Sequence, residues 1–556
     1  MLSALIRTLV EAVVAWILVT LTIFSAVAAF AGYSTAPFWF DPRLSPAEQE
    51  RAHQNILDEG GASDSVFAQY SNWVNDVIEG EFGRSTFYRR SVSSLLPERL
   101  EATSELLWIG LGSALLAIII AQTRRETQHT EAISRTFSAS FPAFWVALVL
   151  LFLFGVQAGV LPLGGRAPVS LADRIPPLED RLEYIALPAL VLFTYAQGRF
   201  LLVLRKNGGG FRALASELPA LIATIVVLEI IFSWPGLGRL FIESLTSRDI
   251  PVMLASLVYL TTLLIAAAAL PRFFANLPRA NDIIAKPVRR EDILADSGAV
   301  IIEEPLRAVN SVIQTSGTNE SLRHYRLLVI TLIVFFLFAF SGSALTDALN
   351  LNPTAINARA TFLPPLSTEG DYPLGTDDLG RDALARVIVG AQNSLGYTLI
   401  AALVAVIAAF ILSRVAPVQA LRSISSVFYF TPALLLAMAL LTLIDPTRTD
   451  LIRVIAALFT IPAALLLFRQ LPIKMLPVFA FIAAHALLAE AVISYLGLGI
   501  QPPAPSLGNM LTNAQVYFLN GPHLIFIPGI VTGALAFLLL VFSCSRLPNE
   551  PLYRAS

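Results

Sequence analysis

Glu229-Ile-Ile-Phe-Ser-Trp-Pro-Gly-Leu-Gly238 and Glu490-Ala-Val-Ile-Ser-Tyr-Leu-Gly-Leu-Gly499 both read E-x-x-x-S-x-x-G-L-G. Each string closes a long apolar run and sets one acid where that run meets polar sequence. A second pair recurs in the same order, Glu81-Phe-Gly-Arg84 ahead of the first string and Asp378-Leu-Gly-Arg381 ahead of the second. Acid, glycine spacing and chain position coincide twice, which reads as an internal repeat, with chance likeness of apolar segments as the alternative.

The sequence around the repeat sets the class. Of 556 residues, 56% are hydrophobic and 14% charged, against about 25% charged in a soluble domain, so too little polar surface exists to cover a water-soluble shape. Crossing about 30 Å of hydrocarbon takes about 20 apolar residues. Such runs fall at 10–30, 103–121, 144–160, 185–204, 218–232 and 252–270, then at 326–345, 394–412, 426–444, 451–468, 475–493 and 526–544. The expectation is an all-α polytopic membrane protein of about twelve transmembrane helices, as two parallel repeats of about six. Residues 1–271 form the first half, with a large external loop at 32–102; a polar cytoplasmic linker spans 272–324, and 325–556 form the second half. The run after Arg7 is longer than a usual signal-peptide core, which favours an uncleaved first helix.

Short-loop arginines orient the chain. Arg124, Arg125 and Arg135 follow the second run, Arg205, Lys206 and Arg212 the fourth, Arg414 and Arg422 the eighth, and Arg469 and Lys474 the tenth. These connections and the arginine-bearing linker are expected inside, with both termini cytoplasmic in a bacterial inner membrane. A net charge of −2 gives no electrostatic footprint for nucleic acid. One cysteine, Cys544, cannot build a disulfide framework. No catalytic constellation, metal site or cofactor motif is apparent, so no enzymatic role is expected. His53, His129, His324, His485 and His523 are scattered, and only His485 lies deep in an apolar run.

Longer strings give the chain a family likeness. Tyr70-Ser-Asn-Trp-Val-Asn-Asp-Val-Ile-Glu-Gly-Glu-Phe-Gly-Arg-Ser85, Leu161-Pro-Leu-Gly-Gly165, Ala186-Leu-Pro-Ala-Leu190, Trp234-Pro-Gly-Leu-Gly-Arg239 and Arg248-Asp-Ile-Pro-Val252 stand in the first half. Pro373-Leu-Gly-Thr-Asp-Asp-Leu-Gly-Arg-Asp382 and Ser494-Tyr-Leu-Gly-Leu-Gly-Ile-Gln-Pro-Pro-Ala-Pro-Ser-Leu-Gly-Asn-Met510 stand in the second. The first half resembles the permease of dipeptide, oligopeptide and nickel ABC importers that carries a long first external loop; the second resembles its partner permease. The resemblance implies two normally separate subunits joined in one chain. It implies an external substrate-binding protein and ATPase subunits as partners, besides the lipid bilayer.

One family feature is missing. Such permeases carry a cytoplasmic E-A-A-x-x-x-G loop between their fourth and fifth helices, which docks on the ATPase. Here the corresponding connections are Arg205-Lys-Asn-Gly-Gly-Gly-Phe-Arg-Ala-Leu-Ala-Ser-Glu217 and Arg469-Gln-Leu-Pro-Ile-Lys474, without the motif. Gly208, Gly209 and Gly210 are poor helix formers, each about 1 kcal/mol worse than Ala. No G-x-x-x-x-G-K-[ST] string occurs, so the chain supplies no phosphate loop of that kind. Two readings stay open: a transporting permease with degenerate coupling, and a permease-derived scaffold or accessory subunit of another membrane complex.

The candidate residues lie in the external motifs. Glu229 and Glu490 are ionisable groups at the end of apolar helices, which default to functional candidates unless they cap or pair locally. Trp234 with Pro235, and Gly236, Gly238, Gly497 and Gly499, are expected to shape tight turns, since Gly permits left-handed backbone and Pro fixes φ. Gly375, Asp377, Gly380, Arg381 and Asp382 belong to an outer loop ordered by ion pairing, or else to a solvated loop face.

Overall fold

The computed structural model describes residues 66–123, 141, 143–168, 177–207, 210–275, 370–417, 421, 433–443, 448–467 and 475–544, save 513 and 515, and parts of 9–25 and 330–367. The linker at 272–324 falls outside these residues beyond Ala275, as do His53, His129 and His324, both arginines of the Arg289-Arg290 run and the connection 468–474.

Among the described residues the protein is all helical, with two isolated β-bridges, Arg84↔Ser91 and Thr376↔Asp382. The helices are α1 Val66–Glu79, α2 Val92–Thr123, α3 Ala143–Leu150, α4 Leu182–Asn207, α5 Gly210–Ile231, α6 Leu237–Thr246 and α7 Ile250–Ala275. They continue as α8 Ala383–Val415, α9 Ala433–Leu443, α10 Arg448–Leu467, α11 Met475–Tyr495 and α12 His523–Cys544. α3 runs on as a π-helix over Leu151–Gln157. Among the described residues five stretches are long and apolar enough to cross a membrane: Val92–Ala117, Ile250–Ala267, Ala383–Val415, Met475–Tyr495 and His523–Ser543. Shorter apolar helical stretches lie at Ala12–Thr22, Ala143–Gln157 and Leu221–Ile231. The chain is a multi-pass helical membrane protein.

Several boundaries differ from the hydropathy reading, for one physical reason. Hydropathy marks the segment inside hydrocarbon, whereas a helix ends where its backbone donors and acceptors find other partners. α2 begins at Val92, so polar residues Ser93, Glu98, Arg99 and Glu101 extend it beyond the apolar run. The external segment expected over 32–102 therefore ends in a helix. α8 likewise begins at Ala383, where the Asp382 carboxylate caps the Leu384 N–H at 2.8 Å. α4 runs to Asn207 and α5 starts at Gly210, so helix covers most of the expected loop 205–217 despite its glycines.

One apolar core joins both halves of the chain. Tyr70, Trp73, Leu240 and Leu257 share it with Leu395, Ile455 and Ile482. A second cluster sets Phe144, Leu148 and Trp234 beside Ala491, Phe518 and Ile525. Across this seam Phe144 stacks on Tyr495 at 5.3 Å and Phe152 meets Phe526 edge-on at 5.3 Å. The Trp145 indole donates to the Ile525 carbonyl at 3.2 Å, and its ring lies where a side chain on Gly529 would be. Small residues thus admit close approach, which is how helices associate where no water is excluded.

Candidate functional site

Glu229 sits in the last turn of α5, fully buried, and ties three elements together. The Thr103 hydroxyl of α2 donates to its Oε1 at 2.6 Å and accepts the Leu237 N–H at 2.8 Å. Its Oε2 accepts the Gly238 N–H at 2.6 Å and the Arg239 N–H at 3.1 Å. These donors open α6, so the carboxylate satisfies a helix N-terminus that would otherwise be orphaned inside the protein. Trp234, equally buried, donates its indole N–H to the Ala102 carbonyl at 2.8 Å. Gly236 has φ −96°, so it is not left-handed as expected; a Cβ there would collide with the Glu229 carboxylate. Gly238 is likewise hemmed in by Val226 and Glu229. Space, not backbone handedness, requires these two glycines.

Glu490 in α11 is also fully buried. The Ser494 hydroxyl donates to its Oε1 at 2.6 Å and accepts the Ile500 N–H at 3.1 Å. Ser394 of α8 accepts the Leu507 N–H at 3.1 Å, and Ser506 accepts the Asn509 N–H at 3.0 Å. Ser394 and Ser506 lie beside the carboxylate. Neither meets hydrogen-bond geometry at Oε2, which has no partner among the described residues. Ser394 and Thr103 hold the same register from their helix starts, Ala383 and Val92. Their contacts pair Leu237 with Leu507, not with Leu498 as the aligned strings suggest. The matching signal is Pro235-Gly-Leu-Gly238 against Pro505-Ser-Leu-Gly508, displaced by the added turn from Gly499 to Ala504. Gly497 does adopt the left-handed backbone, at φ +78°, whereas Gly499 is required by its contact with Ser494.

The turn at Asp377–Asp382 is ordered by ion pairs. Asp377 is buried; its Oδ1 accepts the N–H groups of Leu379 at 3.0 Å and Arg381 at 2.9 Å. Its Oδ2 meets Arg381 Nε at 2.7 Å and Arg386 Nε at 3.2 Å. Asp378 takes Arg381 Nη2 at 3.5 Å and the Tyr517 hydroxyl at 2.9 Å. Gly380, at φ +70°, lies so near the Asn357 carbonyl that a side chain has no room, and Gly375 sits similarly against Leu363. Burial pushes the Asp382 carboxyl above its ordinary value, against the N–H bonds it accepts from Leu384 and Ala385. Asp377, Arg381 and Gly497 are brought to one cavity of about 380 Å3, shared with Arg386, Asn509 and Tyr517. Asp382 and Glu490 stand outside its lining.

The corresponding turn of the first half has Gly83 at φ +77° and packs on α6 and α7 differently. Ser85 Oγ and the Phe87 N–H both donate to Asp249, and the Tyr88 hydroxyl donates to Glu243 at 2.7 Å. Burial, then the bond to Glu243, pushes the Tyr88 phenol up to about 12.

A model of the family described as binding-protein-dependent transport system inner membrane component matches residues 211–279. The chain is 28% identical over 268 residues to the oligopeptide transport system permease protein AppB of Bacillus subtilis, covering 40% of this chain and 82% of AppB. It is 25% identical over 319 residues to the di/tripeptide transport system permease protein DppB of Pseudomonas aeruginosa, covering 48% of this chain and 94% of DppB. A probable peptide ABC transporter permease of Sinorhizobium fredii is 27% identical over 261 residues, 39% of this chain and 80% of that protein. The chain is similar to peptide-transport permeases. Each match spans most of one such permease and under half of this chain, and the family model falls on α5, α6 and α7, a stretch that includes Glu229 and, between α6 and α7, Asp249.

The structure also joins charges that the sequence reading left unassigned. Arg166 Nε meets Glu105 Oε2 at 2.7 Å and Arg166 Nη2 meets Glu101 Oε1 at 2.8 Å, while Arg181 Nη2 meets Glu105 Oε1 at 2.6 Å. Burial opposes the Arg166 charge, but the bonds to Glu105 and Glu101 outweigh it and hold its pKa above the ordinary value. Two acids one helical turn apart on α2 were the available signal. His485 bonds the Phe481 carbonyl of its own helix through Nδ1 at 2.9 Å, a packing role. No group of three or more metal-ligating His, Cys, Asp or Glu side chains occurs among the described residues.

Proposed function

We propose that this chain is the membrane permease of a peptide-type ABC importer in which two permease halves are joined as parallel repeats. The observation that carries the reading is a recurring latch: in one half Thr103 bonds Glu229 and accepts the Leu237 N–H, and in the other Ser394, at the same register, accepts the Leu507 N–H beside Glu490, whose own bond comes from Ser494. In each half a hydroxyl at one register of a long helix holds the backbone of the turn beside one buried carboxylate. Parallel halves packed along a seam offer a path between them, with an external binding protein delivering the substrate. Reporter fusions at Ser65, Gly298 and Asn549 are expected to read outside, inside and inside. An external signal at Gly298 overturns the parallel arrangement.

The coupling to ATP is proposed to be degenerate. Helix α4 ends at Asn207 and α5 begins at Gly210, leaving little chain to form a docking helix. A nucleotide can shift a conformational equilibrium only through contacts that differ between its states, and this connection offers few. Purification in mild detergent is expected to recover no stoichiometric ATPase subunit in the usual arrangement. Recovery of two ATPase chains, with hydrolysis abolished by deleting 207–213, defeats this part of the reading.

A further inference from the structure

The cavity beside the second-half latch has an unusual floor. Arg386 stands in the first turn of α8, its side chain 9% exposed. The residue at the same register of α2 is Leu95, sealed in the apolar core. A cation in place of a core leucine at the head of a membrane helix is unfavourable unless its donors are used, which makes it a functional candidate. They are used sparingly here. Nε reaches Asp377 at 3.2 Å and Nη1 reaches the Pro353 carbonyl at 3.5 Å, both long for charge-assisted bonds. A guanidinium has five N–H donors, so several remain for whatever enters the cavity.

The other buried polar groups around the cavity are already committed. Asp377 is taken by Arg381 and two backbone N–H groups, Asp378 by Tyr517 and Arg381. The Asn509 amide donates to the Ile500 and Ala504 carbonyls and accepts from Ser506. Apart from the exposed Gln501 carbonyl, what is left unspent is the donors of the buried Arg386, so the buried part of the cavity favours an anion over a cation. Its walls include Leu379, Ile500, Pro502, Met510 and Leu524. A volume of about 380 Å3 falls in the range of small-molecule pockets. A dianion would face Asp377 and Asp378, whereas a planar monoanion matches the guanidinium fork.

We propose that this cavity binds a small carboxylate with an apolar body, of the kind presented by the free C-terminus of a short hydrophobic peptide, with Arg386 as its anchor. The site is read from the cavity alone; the choice of a peptide probe rests on the permease reading. Equilibrium dialysis of radiolabelled trileucine against the purified full chain in detergent tests it without any transport readout. Saturable binding near one per chain is expected, at least tenfold weaker for trileucine amide. Arg386→Leu, which copies the first half, is expected to lose binding by a similar factor, and Arg386→Lys by less. Leu379→Trp adds bulk to the lining without removing an ion-paired side chain and is expected to weaken binding at least tenfold, so the test survives misfolding of the arginine variants. Equal binding of acid and amide, undiminished binding to Leu379→Trp, or no saturable binding overturns the proposal, whether or not the chain transports.

Discussion

Glu229 and Glu490 are equally buried and occupy matching places, yet they are satisfied by different chemistry. Glu229 accepts a threonine hydroxyl and two backbone N–H groups from the start of α6. Glu490 accepts one serine hydroxyl, with Ser394 and Ser506 beside it. The first latch holds backbone, so its geometry is set by the chain and admits no side chain at Gly236. The second is built from hydroxyls that can rotate, and the turn beyond it opens into a cavity. A carboxylate can thus be kept while its surroundings change from a rigid clamp to an adaptable one.

The largest expected effect sharpens that contrast. Glu229→Ala strands a buried hydroxyl and two buried N–H groups, each worth about 1–3 kcal/mol, so a loss of about 3–5 kcal/mol in unfolding free energy is expected. Glu490→Ala leaves the serines free to bond elsewhere, and about 1–3 kcal/mol is expected. Unfolding of both variants in detergent checks the order, and equal losses break the comparison. Gly236→Ala is expected to be as damaging as Glu229→Ala, while Ser506→Ala is not.

Next in size are the turns ahead of α2 and α8. Arg381→Gln removes a charged hydrogen bond to a buried Asp377, for which about 1.5–3 kcal/mol is expected. Arg84, its counterpart, donates only to the exposed Arg89 carbonyl among the described contacts. Arg84→Gln is expected to change stability by less than about 0.5 kcal/mol. Thermal melting of the two variants decides whether ion pairing orders the second turn alone.

Thr103→Val and Ser394→Ala probe the hydroxyls themselves. Thr103→Val is expected to lose about 1–2 kcal/mol and Ser394→Ala about 0.6, the average for side-chain hydrogen bonds between membrane helices. The smallest effect belongs to Asp382. Its raised carboxyl value means the folded state disfavours the charge, so its unfavourable share is absent at low pH and grows as pH rises through that value. Asn caps helices about as well as Asp. Asp382→Asn is therefore expected to hold stability within about 0.5 kcal/mol at neutral pH, with its advantage shrinking on acidification. A stability loss growing with pH defeats that sign.

Much of the candidate site was legible as residue types. E-x-x-x-S-x-x-G-L-G marked both carboxylates, and Asp377 with Arg381 marked an ion-paired turn. The role of the glycines was misread at Gly236, Gly238 and Gly499, because sequence does not distinguish a glycine needed for φ from one needed for space. Thr103 and Ser394 stayed invisible, since a lone hydroxyl in an apolar run has no pattern until a partner helix arrives. The Arg166, Glu105 and Arg181 cluster escaped for the same reason, its members lying far apart along the chain.

Sequence by itself determined the membrane class, through apolar runs that cannot be solvated, and the recurrence of two motifs in one order. It determined where acids meet the ends of those runs, because a charge there is costly and stands out. Only the tertiary structure decided how the acids are satisfied, that Leu507 rather than Leu498 answers to Leu237, and that α2 and α8 reach beyond their apolar stretches. The physical reason is that burial free energy is read from composition along a segment, whereas hydrogen-bond satisfaction depends on which distant donor is brought within about 3 Å.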